Sequence, residues 1–262
     1  MDLKLKGKTA LVTGSSRGTG EVIARTLAAE GARVIVHGDE QNASEDAAAN
    51  IPNSTAVWAD LSTELGPQQL LEQLQTHELS IDILVNNYGS ASPGSWRKYQ
   101  PADWLDMYQK NVLAAAELIS GLTPSMKNQG WGRIVQLGTV GSHQPGARMP
   151  HYYAAKGALA TMAVSLTQEL SHTGITVNTV SPGYIRTPEL EAHFRLKAEK
   201  KGWGDDWKDI EAQIVAKEFP NPCGRIAERE EVADLVSFLC SDKAAFINGQ
   251  NIRIDGGAIA YV

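Results

Sequence analysis

The chain has 262 residues, 42% of them hydrophobic and 21% charged, with a formal net charge of −6. That length can bury a full core within one large domain, and the mix is that of an ordinary globular protein. The acidic balance, with no block of basic residues, argues against nucleic acid as a partner, and no apolar run approaches the ~18 residues of a membrane span.

Residues 1–8 alternate charge with leucine and carry neither the apolar core nor the cleavage site of a signal peptide. Short apolar runs at 9–12, 33–37, 55–59, 81–86, 133–137 and 176–181 then read as buried strands. Between them, helical patterns are expected over 18–30, 42–50, 65–77, 101–128 and 152–173. A last helix over 230–241 and a last strand over 251–254 close the series. Strand–helix alternation at this spacing predicts an α/β fold: one doubly wound parallel sheet of about seven strands with helices on both faces. Residues 187–222 break the rhythm. Charged, tryptophan-bearing and bounded by prolines, they read as a lid inserted in a single domain covering 1–262. Cys223 and Cys240 make no disulfide framework, which fits a reducing, cytoplasmic setting. The six histidines form no ligand cluster, so no catalytic metal is expected.

Two stretches carry chemistry. Gly14, Gly18 and Gly20, with Ser16, Arg17 and Thr19 among them, join the first strand to the first helix. Glycines there let the backbone turn tightly and approach a pyrophosphate, while the helix start offers free N–H groups and a positive dipole end. The alternative is a plain strand-to-helix turn. Tyr152 and Lys156 stand four apart, on one face of a helix. A nearby ammonium favours a phenolate and brings the phenol towards the working range of a proton carrier. By itself the pair could equally be a tyrosine packed on a lysine stem.

The ordered set Thr-Gly-x-x-x-Gly-x-Gly, Asn-Asn-x-Gly, Tyr-x-x-x-Lys and Ser-Pro-Gly, running from Lys6 to Gly257, resembles the short-chain dehydrogenase/reductase family, in its simple branch of about 250 residues. The resemblance implies hydride exchange between NADP or NAD and a ketone or secondary alcohol. It makes Tyr152 the proton donor or acceptor and Lys156 its activator and a ligand of the ribose. Asn111 becomes a helix-bending residue whose carbonyl anchors a water to the lysine. The family's serine falls on Thr139, which keeps the hydroxyl but adds a methyl; Ser142 is the fallback.

For the dinucleotide, the resemblance implies Asp60 and Leu61 beside the adenine, Asn87 and Gly89 beside the adenosine ribose, and Pro182, Gly183, Ile185 and Thr187 at the nicotinamide. Asp60 is equally compatible with a strand-end cap. Tyr88 replaces the family's alanine and must displace something. At the tip of the second strand stand His37 and Gly38, with no acid to select NAD and apparent room for a 2′-phosphate. Arg17 favours that phosphate and Asp39 opposes it, so NADP is preferred over NAD.

Rival readings follow from the same residues. A 3-oxoacyl-carrier-protein reductase would need a basic patch, which Arg195, Lys197, Lys200 and Lys201 in the lid could supply, although a solvated helix face explains them as well. An enoyl reductase spaces its tyrosine and lysine seven apart and is disfavoured, since position 159 is leucine. A catalytically silent dinucleotide sensor or scaffold is the remaining class. Alanine-rich faces at 114–116 and 158–163 suggest close helix pairing between copies, hence a homotetramer or homodimer.

Overall fold

The computed structural model describes residues 2–261. Its centre is a seven-stranded sheet of β1 (Thr9–Val12), β2 (Arg33–Gly38), β3 (Ser54–Trp58), β4 (Ile83–Asn86), β5 (Gly132–Leu137), β6 (Ile175–Pro182) and β7 (Asn251–Ile254). The order is β3-β2-β1-β4-β5-β6-β7, and every pairing is parallel. Parallel strands are covered on both faces, which is why these runs are almost continuously apolar and buried. Consecutive side chains point to opposite faces. Ala10 and Val12 therefore enter one core layer and Leu11 the other.

The first layer is filled by α1 (Gly18–Ala29) and α9 (Arg229–Leu239), through Ile23, Leu27, Val232 and Val236. The second is filled by α3 (Gly66–Thr76), α5 (Ala114–Gln129) and α6 (Pro150–Glu169), through Leu70, Leu118, Leu122 and Ala163. A short α2 (Gln41–Ala49) joins β2 to β3. The strand order reverses between β1 and β4, opening a crevice at their carboxyl ends where ligands bind in folds of this kind.

Two stretches differ from expectation. The helix expected over 101–128 is α4 (Pro101–Tyr108), then a π-helical turn at Gln109–Leu113, then α5. Asn111 lies in that turn, so the helix is reset there by one wide turn instead of running straight. The charged stretch 187–222 forms two helices, α7 (Pro188–Lys201) and α8 (Trp207–Lys217). They carry a small core of their own, with Phe194, Ile210 and Ile214 buried and Trp203 and Trp207 packed on it. Phe194, Trp203 and Trp207 are thus engaged in packing. Backbone bonds from Arg186 to Ala227 (2.8 Å) and from Ala227 to Tyr184 (2.9 Å) return this unit to the body.

The alanines that suggested helix pairing divide between core and surface, with Ala116, Ala158 and Ala160 partly exposed. Ala114 and Ala115 are buried, as is Ala163, because α5 and α6 use their small residues to lie close against their own sheet. The large apolar side chains these elements expose are Leu113 and Val164.

Candidate active site

The turn between β1 and α1 is built by contacts that cross the switch point. Gly14 and Gly18 both have φ of +64°, the left-handed region that glycine enters without cost. A Cβ on Gly20 would stand 2.3 Å from Gly14 O, so the helix can close on the turn only without one. Asn87 Nδ2 donates to Thr13 O (2.9 Å) and Gly14 O (3.1 Å), and Thr13 Oγ1 accepts from the N–H groups of Asn87 and Tyr88. The Asn-Asn-x-Gly segment after β4 therefore braces the glycine turn.

His37 braces it from the other side. Gly14 N–H donates to His37 Nδ1 at 3.0 Å, which puts the ring proton on Nε2, where it donates to Ala59 O at 3.0 Å. The ring is fully buried, and burial lowers its pKa to about 4, so it stays neutral. Nothing in the sequence pattern singles out this role; His37 reads there only as a strand tip without an acid. Gly38 is closely bordered by two hydroxyls. A Cβ there would meet Ser16 Oγ at 2.7 Å and Ser44 Oγ at 2.8 Å, so two hydroxyls fill that space.

Beyond the turn lies a cavity of about 650 Å³. Thr19, Asn87, Gly89, Thr139, Tyr152, Lys156, Pro182, Gly183, Ile185 and Thr187 all line it. Of the residues expected at a dinucleotide, Gly14, Ser16, Arg17, Gly18 and Gly20 in the β1–α1 turn and Gly38, Asp60 and Leu61 at or just after the ends of β2 and β3 lie outside this cavity's lining. Asp60 Oδ1 accepts from Ser62 N–H at 2.9 Å. Leu61 turns its side chain into the core, leaving only its main chain to meet a ligand.

Tyr152 and Lys156 sit in the first turns of α6, which starts on Pro150. Lys156 is 4% exposed and its Nζ donates to Leu137 O at 2.8 Å. Asn111 is buried too: its Nδ2 donates to Ser90 O and Met107 O, both at 3.0 Å, while its Oδ1 has no protein partner. A Cβ on Gly89 would stand 2.4 Å from that Oδ1 and 3.0 Å from Lys156 Nζ, so the three residues converge on one point. Thr139 follows β5 with Oγ1 accepting from Gly141 N–H at 3.2 Å, which leaves its own proton free. Ser142 is turned away, donating to Thr139 O at 2.7 Å, and does not line the cavity. Thr187 caps α7 through Leu190 N–H at 3.2 Å while still reaching the cavity wall.

Burial pushes Tyr152 up to about 12 and Lys156 down to about 8. For Tyr152 the cause is burial first and the neighbouring Tyr153 second; for Lys156 it is burial. A phenol so placed holds its proton at neutral pH, as a donor must.

Three features of this site suit a dinucleotide: an open, left-handed Gly18 at a helix start, with nothing within 4 Å of a Cβ placed there, the unpartnered Asn111 oxygen, and a lysine at the far wall. Fold and site together define a Rossmann-type dinucleotide-dependent oxidoreductase. A family model described as enoyl-(acyl carrier protein) reductase matches residues 14–258. The chain belongs to the short-chain dehydrogenase/reductase family and is an NAD(P)-dependent oxidoreductase acting on CH–OH/C=O groups. It is 32% identical over 256 residues to the 3-oxoacyl-(acyl-carrier-protein) reductase FabG of Escherichia coli (strain K12), covering 97% of this chain and 98% of that one. The crystal structure of L-sorbose reductase from Gluconobacter frateurii, complexed with NADPH and L-sorbose, is 30% identical with a TM-score of 0.93 and full coverage of both chains. A 3-oxoacyl (acyl-carrier-protein) reductase from Agrobacterium tumefaciens C58 with NADP bound is 28% identical, with a TM-score of 0.87 over 98% of this chain and 96% of that one. Among the described residues, no helix is long and apolar enough to cross a membrane and no metal-ligand cluster occurs.

Proposed function

We propose that the protein reduces a small-molecule ketone to a secondary alcohol with NADPH, Tyr152 supplying the proton. The observation that carries this reading is the convergence of Tyr152, Lys156 and Thr139 on one cavity, with Asn111 and Lys156 meeting at Gly89. The dinucleotide would be held by Gly14, Ser16, Arg17, Gly18, Thr19, Gly20 and Gly38 at its phosphate and 2′ end. Asp60, Leu61, Asn87 and Gly89 would meet the adenosine, and Pro182, Gly183, Ile185 and Thr187 the nicotinamide. When bound, it supplies the hydride.

The chain's own groups do the rest. Thr139 donates its free proton to the substrate oxygen, where negative charge develops during reduction. Tyr152 protonates that oxygen, and Lys156 steadies the phenolate left behind. Asn111 presents its oxygen near the lysine for a water that returns the proton from solvent. Residues 187–222 serve as a lid, with Leu190, Glu218 and Phe219 on the cavity wall. NADP is preferred because both liganded structures above are described with NADPH or NADP.

A small substrate is favoured over a carrier-bound acyl chain by charge pairing in the lid. Arg195 is tied to Glu191 at 2.6 Å and Lys197 to Glu218, so two of the four cations that would greet an acidic carrier are already matched. Assembly as a homotetramer or homodimer, in the cytoplasm, belongs to the same proposal. Replacing Tyr152 with phenylalanine should lower turnover by about 10²–10⁴-fold, the usual worth of a positioned proton donor, with NADPH binding kept. Full turnover in that variant, measured on a ketone that the native protein reduces, would refute the assignment.

A further inference from the structure

Helix α6, which carries Tyr152 and Lys156, starts without an ordinary cap. Its flanking residue Met149 has φ of +60°, in the left-handed region that residues other than glycine seldom enter, and its side chain has no oxygen to offer the first turn. Pro150 at the first helical position has no N–H to satisfy. Met149 O accepts Tyr153 N–H at 3.1 Å. Tyr152 N–H goes instead to the neighbouring side chain, donating to His151 Nδ1 at 2.8 Å. The orphan donor that a capping side chain would serve is thus the main chain of Tyr152 itself, and His151 serves it.

The imidazole is not free to swing. It is buried, with its centroid 3.7 Å from that of Tyr99 and tilted by 37°. Trp104 meets it at 6.0 Å and a steep 71°, and the exposed Trp96 packs on Trp104 at 5.5 Å. Tyr99 is held in turn. Its hydroxyl donates to Ser92 O at 2.7 Å, and Gly94 lies so close to its ring that a Cβ there would collide with Cζ. The same loop meets the residues before α6 through an antiparallel bridge between Ser95 and Arg148. Trp96, Tyr99, Trp104 and His151 do not line the cavity that Tyr152 shares with Thr139 and Lys156. His151 is where this aromatic cluster meets the main chain of Tyr152.

Accepting at Nδ1 puts the ring proton on Nε2. A ring clamped in that tautomer fixes where Tyr152 N–H points, and with it the direction in which the Tyr152 side chain leaves the helix. A proton donor works only within hydrogen-bond reach of the oxygen it serves, and a misplacement of about 1 Å can cost about 10²-fold.

We infer that His151 is a positioning residue for Tyr152: its Nδ1 anchors the Tyr152 main chain while Tyr99 and Trp104 hold the ring in place. This rests on the reading above that Tyr152 supplies the proton.

The test compares His151→Phe, which keeps a ring and loses the acceptor, with His151→Asn, which loses the ring and keeps an acceptor where Nδ1 stood. Turnover is measured on a ketone that the native protein reduces and expressed per NADPH site counted by fluorescence titration, so that a misfolded fraction drops out. His151→Phe should lower kcat about tenfold with NADPH affinity within about twofold of native, and His151→Asn should stay within about threefold of native kcat. Native kcat in folded His151→Phe overturns the inference, as does a His151→Asn variant that loses as much as His151→Phe. Should neither fold, Tyr99→Leu in the surface loop decides. With the ring unclamped, kcat should fall about threefold with NADPH binding kept, and an unchanged kcat overturns the inference. If the native protein reduces no ketone, or Tyr152→Phe turns over at the full rate, the proposed function falls and this inference with it. A disabled Tyr152→Phe beside an unaffected His151→Phe brings down this inference alone.

Discussion

His37 shows how much one buried polar group can organise. Both ring nitrogens are engaged in the neutral form, one on the glycine turn and one on Ala59. Protonation would force a second N–H against the Gly14 N–H, donor to donor. With the native pKa lowered from 6.5 to about 4, the unfolded chain binds the extra proton first as pH falls. The His37 contribution is therefore complete above about pH 6.5 and is lost as pH drops through about 4. It amounts to about 3 kcal/mol at 1.36 kcal/mol per pKa unit. Thermal melts of the native protein should fall across that window, and a folded His37→Gln variant should fall less. Equal slopes for the two would show that other groups carry the acid sensitivity.

At the scale of elements, the crossing of β1 into α1 depends on glycines for two different reasons. Gly18 needs its left-handed φ but faces open space, so Gly18→Ala should cost about 1 kcal/mol of strain. Gly20 has no such φ, yet a Cβ would collide with backbone at 2.3 Å, where nothing flexible can yield. Gly20→Ala should therefore destabilise by about 1–3 kcal/mol, as overpacking does, and weaken NADPH binding more than Gly18→Ala. Urea unfolding and NADPH titration of both variants check the order; a milder Gly20 variant would contradict it. The π turn at Gln109–Leu113 makes a comparable point. Asparagine has no helical advantage, but a widened turn lets Asn111 reach Ser90 O and Met107 O together.

For the whole molecule, the proposed association rests on exposed side chains rather than on alanine. Leu113 and Val164 are each about half exposed, at 50% and 51%, on the helices that the family commonly pairs. Light scattering should give an even multiple of 28.3 kDa, and Leu113→Lys with Val164→Lys should shift it towards the monomer. A monomeric native mass would overturn the assembly. The helices α7 and α8 carry their own core and are tied to the body by the Tyr184–Ala227 and Arg186–Ala227 backbone bonds.

What could be read from the chain alone was whatever depends on order and period. Apolar runs alternating with amphipathic ones announce a parallel sheet, and glycine spacing with Tyr152, Lys156 and Asn111 announces a short-chain dehydrogenase/reductase, because these are local regularities carried by neighbours in sequence. Tertiary structure alone decided which residues meet across distance. It set His37 under Gly14, a contact spanning 23 positions that leaves no periodic trace. It put Thr139 on the cavity wall and turned the Ser142 hydroxyl onto Thr139 O, since the direction of a hydroxyl depends on the turn that follows β5. It buried Ala114, Ala115 and Ala163, set two hydroxyls beside Gly38, and desolvated the Tyr152 phenol. Desolvation and steric fit belong to the packed interior, and no stretch of sequence holds them by itself.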